Sequence, residues 1–337
     1  MRTIAYVANA DSHDISVFAL DGADGDLHEV ERFAVGGTVM PLAASPDGRF
    51  LYASIRSEPY RVLSLAIDPA SGRLRTIGSA ALPASMCWIS TDRRGRFLLG
   101  ASYGGSRVTV SPIGADGVVR EAQQVVQTEA NAHAIQVDPS NRHAFATCLG
   151  GGVVRQWHFD ADTGRLSDNE FATWRARPGA GPRHFAFDPH GPFVYLLNEL
   201  DASVDMLCLD PVAGTLSHVQ SVSAWPEGAT GAPWAADIHA TPDGRFLYAS
   251  ERRTSTLVSF SIDRRTGRLT LLATVPTEAE PRGFAITADG RFLLAAGQAS
   301  HRIARYLIDA VTGLLKPIGI TAAGLNPNWV TAVDLPG

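Results

Sequence analysis

The sequence predicts an all-β fold, a seven-bladed β-propeller of four-stranded antiparallel blades, and three observations carry that prediction. The stretch Ser45–Pro46–Asp47–Gly48–Arg49–Phe50–Leu51–Tyr52–Ala53–Ser54 returns as Thr241–Pro242–Asp243–Gly244–Arg245–Phe246–Leu247–Tyr248–Ala249–Ser250, and again from Thr287 to Ala296. Weaker copies centred on Asp92–Leu99, Asp138–Phe145 and Asp188–Tyr195, with the strand-like run Ile4–Asn9, bring the count to seven, at a spacing of about 45–50 residues. A second turn, Asp-x-x-x-Gly-x-Leu, alternates with the first at Asp68–Leu74, Asp160–Leu166, Asp210–Leu216, Asp263–Leu269 and Asp309–Leu315. A unit of this size built from short apolar strands cannot cover both its faces, so its neighbours must stack on it.

Residues 40–82 serve as the type unit. The apolar run Met40–Ser45, the turn Pro46–Arg49 and the run Phe50–Ile55 form a hairpin of strands A and B, because Pro-Asp-Gly between two apolar runs is hairpin chemistry. After the variable stretch Arg56–Tyr60, strand C is Arg61–Ile67, with Val62, Leu63, Leu65 and Ile67 apolar, and strand D passes through Ile77 to Leu82. The glycine of the second turn suits a positive φ. The carboxy-terminal run Asn328–Val333 reads as a strand A with no B after it, while the amino terminus begins at B. These two ends are expected to pair, Asn328–Val333 against Ile4–Ala8, which closes the ring and leaves no open edge. Residues 1–337 are therefore expected to be a single domain without a linker.

Composition narrows the function classes. The 337 residues are 45% hydrophobic and 19% charged, with a formal net charge of −5, so no general attraction to nucleic acid or anionic lipid is expected. Cys87, Cys148 and Cys208 are widely spaced and form no Cys-x-x-Cys pair, which suggests neither a disulfide framework nor a zinc site and fits the cytoplasm. The apolar run at the amino terminus is too short for a signal peptide, and no run of 18 apolar residues marks a membrane span. Oligomeric state is expected to be monomeric, with a weak dimer as the alternative.

The two repeated turns share one face of the disc as scaffold. On the opposite face the repeat breaks down. Starts of A strands supply Asn131, His133, Arg183, His184, Asp237, His239, Arg282, Asn328 and Trp329, and ends of B strands supply Arg56, Tyr103, Glu199, Glu251, Arg252, Gln298 and His301. Converging arginines match phosphate or carboxylate, and a carboxylate or imidazole in a partly dry funnel can be tuned for acid–base work. A single charged residue at a strand end is more often solvated or locally paired. Arg183 and Arg282 occupy one repeat position in two blades and could tie blades together; His133 and His239 alternate with apolar neighbours and could be core histidines. Trp88, Trp234 and Trp329 read as packing. Walker, His-Glu-x-x-His and EF-hand motifs are missing from the sequence, and Gly104–Gly105 and Gly150–Gly152 read as tight B–C connections because no helix follows them.

The stretches Gly181–Pro182–Arg183–His184, Asn198–Glu199–Leu200, Trp234–Ala235–Ala236–Asp237–Ile238–His239, Pro281–Arg282–Gly283–Phe284 and Ala295–Ala296–Gly297–Gln298 resemble the bacterial seven-bladed propeller lactonases across essentially the whole chain. The same superfamily includes fungal enzymes that interconvert carboxymuconates and their lactones, whose implicated histidine, arginines and glutamate resemble His133, Arg183, Arg282 and Glu199. Two departures are that Ala132 stands before His133, where a cysteine is expected, and that Trp225–Pro233 is a glycine-containing insertion. The resemblance implies metal-independent hydrolysis of 6-phospho-D-glucono-1,5-lactone without a cofactor. Glu199 or His133 would be the base, with Arg183 at the oxyanion. Arg282, Arg252 and Arg56, with His184, Asp237, His239 and Gln298, would contact substrate. Alternatives are another anionic lactone, a metal-dependent lactonase using Glu199, Asp237 and Glu251, or a non-catalytic binding propeller.

Overall fold

The computed structural model describes residues 2–335; Met1, Pro336 and Gly337, within the expected domain bounds, lie outside the described residues. Seven four-stranded antiparallel sheets form a ring, with strand A of each blade innermost. The type unit is blade 2, whose strands Val39–Ala44, Phe50–Ile55, Arg61–Ile67 and Leu74–Ala81 match the expected bounds to within a residue, apart from the start of strand D. Blade 1 is shared between the chain ends as expected. Pro327–Leu335 is its strand A and pairs antiparallel with Arg2–Asn9, Val333 opposite Ile4 and Trp329 opposite Ala8.

The two repeated turns turn out to be one device. The glycine of each C–D turn packs on the side chain that opens strand B in the preceding blade. A Cβ on Gly164 would lie 2.3 Å from the Phe97 ring and one on Gly313 2.2 Å from Phe246, so the ring occupies the space that only glycine leaves open. The arginine before that aromatic donates to a carbonyl of the same neighbouring turn: Arg96 to Asp162, Arg245 to Ala310 and Arg291 to Gly22. The last of these joins blade 7 to blade 1. Strand-B tyrosines repeat the lock from inside, Tyr6 donating to Gly72 O, Tyr195 to Gly267 O and Tyr248 to Gly313 O. Blade 3 turns differently, through Gly114 and Gly117, and the corresponding Tyr52 hydroxyl has no partner. Apolar side chains fill the layers between blades, as where Phe97, Phe145, Trp157 and Phe185 join one cluster.

Candidate functional site

A single irregularity repeated around the ring builds the site. Strand A opens with a β-bulge in most blades, and the extra residue is His133 in blade 4, Arg183 in blade 5 and Arg282 in blade 7. In blade 1 the equivalent bulge carries Asn328, and in blade 6 a longer one carries Ala236 and Asp237. A bulge takes a residue out of the ladder and re-aims its side chain. Two residues before each single bulge the backbone enters the left-handed region, at Asn131 (φ 63), Gly181 (φ 73), Glu280 (φ 56) and Asn326 (φ 58). Gly181 differs from the other three in having no room for a side chain, because a Cβ there would lie 2.7 Å from Leu200 Cγ. The carbonyls of these residues accept the amide just past strand B: Glu199 N to Gly181 O at 2.7 Å, Leu149 N to Asn131 O at 2.9 Å and Gln298 N to Glu280 O at 3.0 Å. The same bond pins Arg56 N to Thr38 O and Arg252 N to Trp234 O. Site side chains therefore come from two stereotyped positions, the bulge of A and the residue after B.

Together they line a cavity of about 370 Å³ at one mouth of the central channel, where Arg56, Tyr103, His133, Arg183, Glu199, Arg252 and Arg282 converge, as the sequence predicts. Arg183 is buried, and its Nε donates to Glu199 Oε2 at 2.7 Å. Arg252 Nη2 forms an ion pair with the same oxygen at 3.1 Å. Its other bonds run to the carbonyls of Trp234 and Ala235, and its guanidinium lies 3.8 Å above the Trp234 ring. Four guanidiniums and one carboxylate thus line the cavity, and two of the four pair with that carboxylate. Arg282 has no hydrogen bond or ion pair to another described side chain, and Arg56 has only Ser85 Oγ at 3.0 Å. Burial and the field of Arg183 push Arg282 down to about 10 and also lower Arg252, against the pull of Glu199. The cavity holds more positive charge than the protein itself neutralises. His133 is neutral, because burial and then Arg183 hold it well below its ordinary value. Its Nδ1 is buried without a partner.

Four of the expected substrate contacts lie elsewhere. His184 and Asp237 are buried behind the cavity wall, His239 lines a second cavity of about 480 Å³ toward the other mouth, and Gln298, although past strand B, does not reach the first cavity. Glu199, Asp237 and Glu251 do not meet. Glu251 accepts from Trp234 N and Thr254 N and shapes its own loop, and no cluster of three or more His, Cys, Asp or Glu suited to a metal occurs among the described residues.

Trp234, Ser85, Cys87 and Gly104 also line the cavity, though no motif or strand-end position marks them as site residues. Trp234 reads as packing, and its role as a platform for Arg252 depends on contacts across a bulge. Cys87 is buried and points its thiol at Ala132 O and His133 O, 3.4 and 3.3 Å away. A thiol thus reaches the neighbourhood of His133 from the adjacent blade, not from the preceding residue.

A family model described as "Lactonase, 7-bladed beta-propeller" matches residues 3–332. The chain is 44% identical over 335 residues to a Pectobacterium carotovorum protein called 6-phosphogluconolactonase, covering 99% of this chain and all of that one. It is 41% identical over 330 residues to the Erwinia tasmaniensis protein of the same name, with 98% of each covered. The fold superposes on a periplasmic gluconolactonase of Pseudomonas aeruginosa with a TM-score of 0.93 over both full chains at 28% identity. A putative 6-phosphogluconolactonase of Bacteroides fragilis gives 0.89 at 27% identity, covering 99% and 98%.

Proposed function

The chain belongs to the seven-bladed β-propeller lactonase family, and from that premise we propose that it hydrolyses 6-phospho-D-glucono-1,5-lactone to 6-phosphogluconate. One observation carries the choice of a phosphorylated substrate: four arginines and one carboxylate line a single cavity, and a dianionic phosphate supplies the missing negative charge. The volume suits a hexose phosphate.

A lactone is an activated ester, so a held water, a proton acceptor and a cationic clamp suffice without a covalent nucleophile. Arg56 and Arg282, which have no carboxylate partner, take the phosphate. Glu199, aimed by Arg183 and Arg252, accepts a proton from the attacking water, with neutral His133 beside it. The oxyanion formed at the carbonyl falls to Arg252, whose Nη1 makes no bond within the protein. Arg183, with Nε and Nη1 already engaged, orients Glu199 instead of meeting the oxyanion. Collapse of the intermediate expels the ring oxygen, which receives the proton. The reading also places the protein in the cytoplasm as a monomer of one domain. Its three free cysteines fit a reducing compartment.

The test is hydrolysis of fresh phosphorylated and unphosphorylated gluconolactone, with the uncatalysed rate subtracted. The wild type is expected to prefer the phosphorylated substrate at least tenfold in kcat/KM, and Glu199→Gln to lose at least about 100-fold. Equal rates on the two lactones would transfer the assignment to the neutral sugar lactone.

A further inference from the structure

We propose that Asp237 is a positioning residue for the lactone site, fixing through the tautomer of His184 the guanidinium that aims Glu199. The inference rests on the function proposed above and deepens it. Asp237 sits in the blade 6 bulge, buried, and its two oxygens receive four donors. Oδ1 faces His184 Nδ1 at 2.8 Å and Ile238 N at 3.0 Å; Oδ2 faces His239 Nε2 and Phe284 N, both at 3.1 Å. An oxygen pair surrounded by donors is a carboxylate acting only as an acceptor. Burial alone would raise its pKa, but His239 and the bond from His184 hold it well below the usual carboxylate range.

The direction of the next bond follows. His184 must present Nδ1–H to Asp237, which leaves Nε2 as a bare acceptor in the neutral ring. Burial, followed by the neighbouring Arg183, pushes His184 down to about 3, so the ring carries no second proton. Nε2 lies 3.2 Å from Arg183 Nη1, a bond that exists only in this tautomer, because an Nε2–H would oppose an N–H of the guanidinium. The ring cannot easily rotate away. Trp88, His133 and Trp329 surround it edge-on at centroid distances of 4.6, 5.1 and 5.9 Å. Arg183, held through Nη1 by His184 and the Ala236 carbonyl, then offers Nε to Glu199 at 2.7 Å. A carboxylate behind the channel wall thus sets the donor pattern of the residue that aims the proton acceptor. Replacing the buried acid behind a histidine by its amide is known to reverse the tautomer while leaving the geometry nearly intact.

The experiment uses the full chain labelled with ¹⁵N-histidine, the His184 resonances being assigned by their loss in His184→Asn. In the wild type at pH 7, long-range ¹H–¹⁵N correlations are expected to show Nδ1 protonated and Nε2 bare. Asp237→Asn is expected to move the proton to Nε2 and to lower kcat on the lactone about 10- to 100-fold with KM changed less than about threefold. A loss of packing alone would not move the tautomer. A wild-type ring protonated at Nε2 overturns the proposal, and so does a folded Asp237→Asn protein with wild-type kcat. Should that variant not fold, the wild-type spectrum still decides. A wild type that turns over neither lactone would sink the substrate assignment, while the spectrum would still judge the link from Asp237 to Arg183.

Discussion

The two mouths of the channel are built by opposite ends of the same seven inner strands, yet they do opposite things with polar groups. In blade 5 a single strand A, Pro182–Phe187, gives Arg183 to one mouth and Phe185 and Phe187 to the other. In the second half, polar side chains find carbonyls on the next blade: Gln136 Nε2 donates to Phe185 O at 2.7 Å, Ser90 Oγ to Ile135 O at 2.7 Å and Arg93 to Val137 O at 3.0 Å. There polar groups are consumed by the scaffold. In the first half the strands have left their ladder through bulges, and the side chains exposed by that departure exceed the acceptors available. A regular ring satisfies itself, and a site appears where regularity is given up and donors are left unspent.

The largest test of that contrast is Arg183→Met. Losing the buried partner of Glu199 is expected to destabilise the fold by about 3–5 kcal/mol and to lower kcat/KM at least about 100-fold, measured by denaturant unfolding and steady-state kinetics. Stability unchanged within 1 kcal/mol would mean that the near mouth is as self-sufficient as the far one.

Arg282→Ala should separate function from stability. Removing a cation without a protein partner is expected to raise KM about 10- to 100-fold, as for loss of one or two charged hydrogen bonds, while leaving the unfolding midpoint unchanged or higher. A clear fall in the midpoint would show that Arg282 serves the scaffold after all.

The pH dependence of stability reports the same asymmetry. His133 and His184 are held below their ordinary 6.5 by burial first, so as pH falls below that value the unfolded chain takes up protons the native protein refuses. Stability should drop by about 1.4 kcal/mol per pH unit for each of the two. His239, raised because Asp237 outweighs burial, acts in the other window: its contribution is full below 6.5 and is lost as pH rises through its folded value. Urea midpoints from about pH 5.5 to 7.5 measure both limbs, and His133→Asn should reduce the acid slope without abolishing it, since His184 and the buried His143 are also held below 6.5.

The smallest effect belongs to the far mouth. Gln136→Leu is expected to cost about 1 kcal/mol, one neutral hydrogen bond, and to leave kcat/KM within about twofold. A larger loss of activity would mean that the inner strands transmit strain along their length.

Most of the fold was legible because its information is local. The turn Pro46–Asp47–Gly48–Arg49 and the glycine of Asp-x-x-x-Gly-x-Leu announce hairpins wherever they stand, and the unpaired strand at each end of the chain announced closure. The contact between Phe97 and Gly164 was invisible, since it joins two motifs from different blades. For the site, sequence placed Arg56, His133, Arg183, Glu199, Arg252 and Arg282 at one mouth by counting strand starts and ends. It placed His184, Asp237 and His239 there too, because successive residues at a strand start look equivalent until a bulge turns one into the cavity and the next behind it.

The sequence by itself determined the number of blades, their strands, the closure of the ring and the face on which ionisable residues gather, because turn chemistry and apolar alternation act over a few residues. Only the tertiary structure decided which arginine is paired and which is free, that Asp237 and His184 stand behind the wall, and that Trp234 carries Arg252. Those outcomes depend on bulges and on which blade lies opposite. A buried charge is defined by its neighbours in space, and here they come from strands tens of residues away.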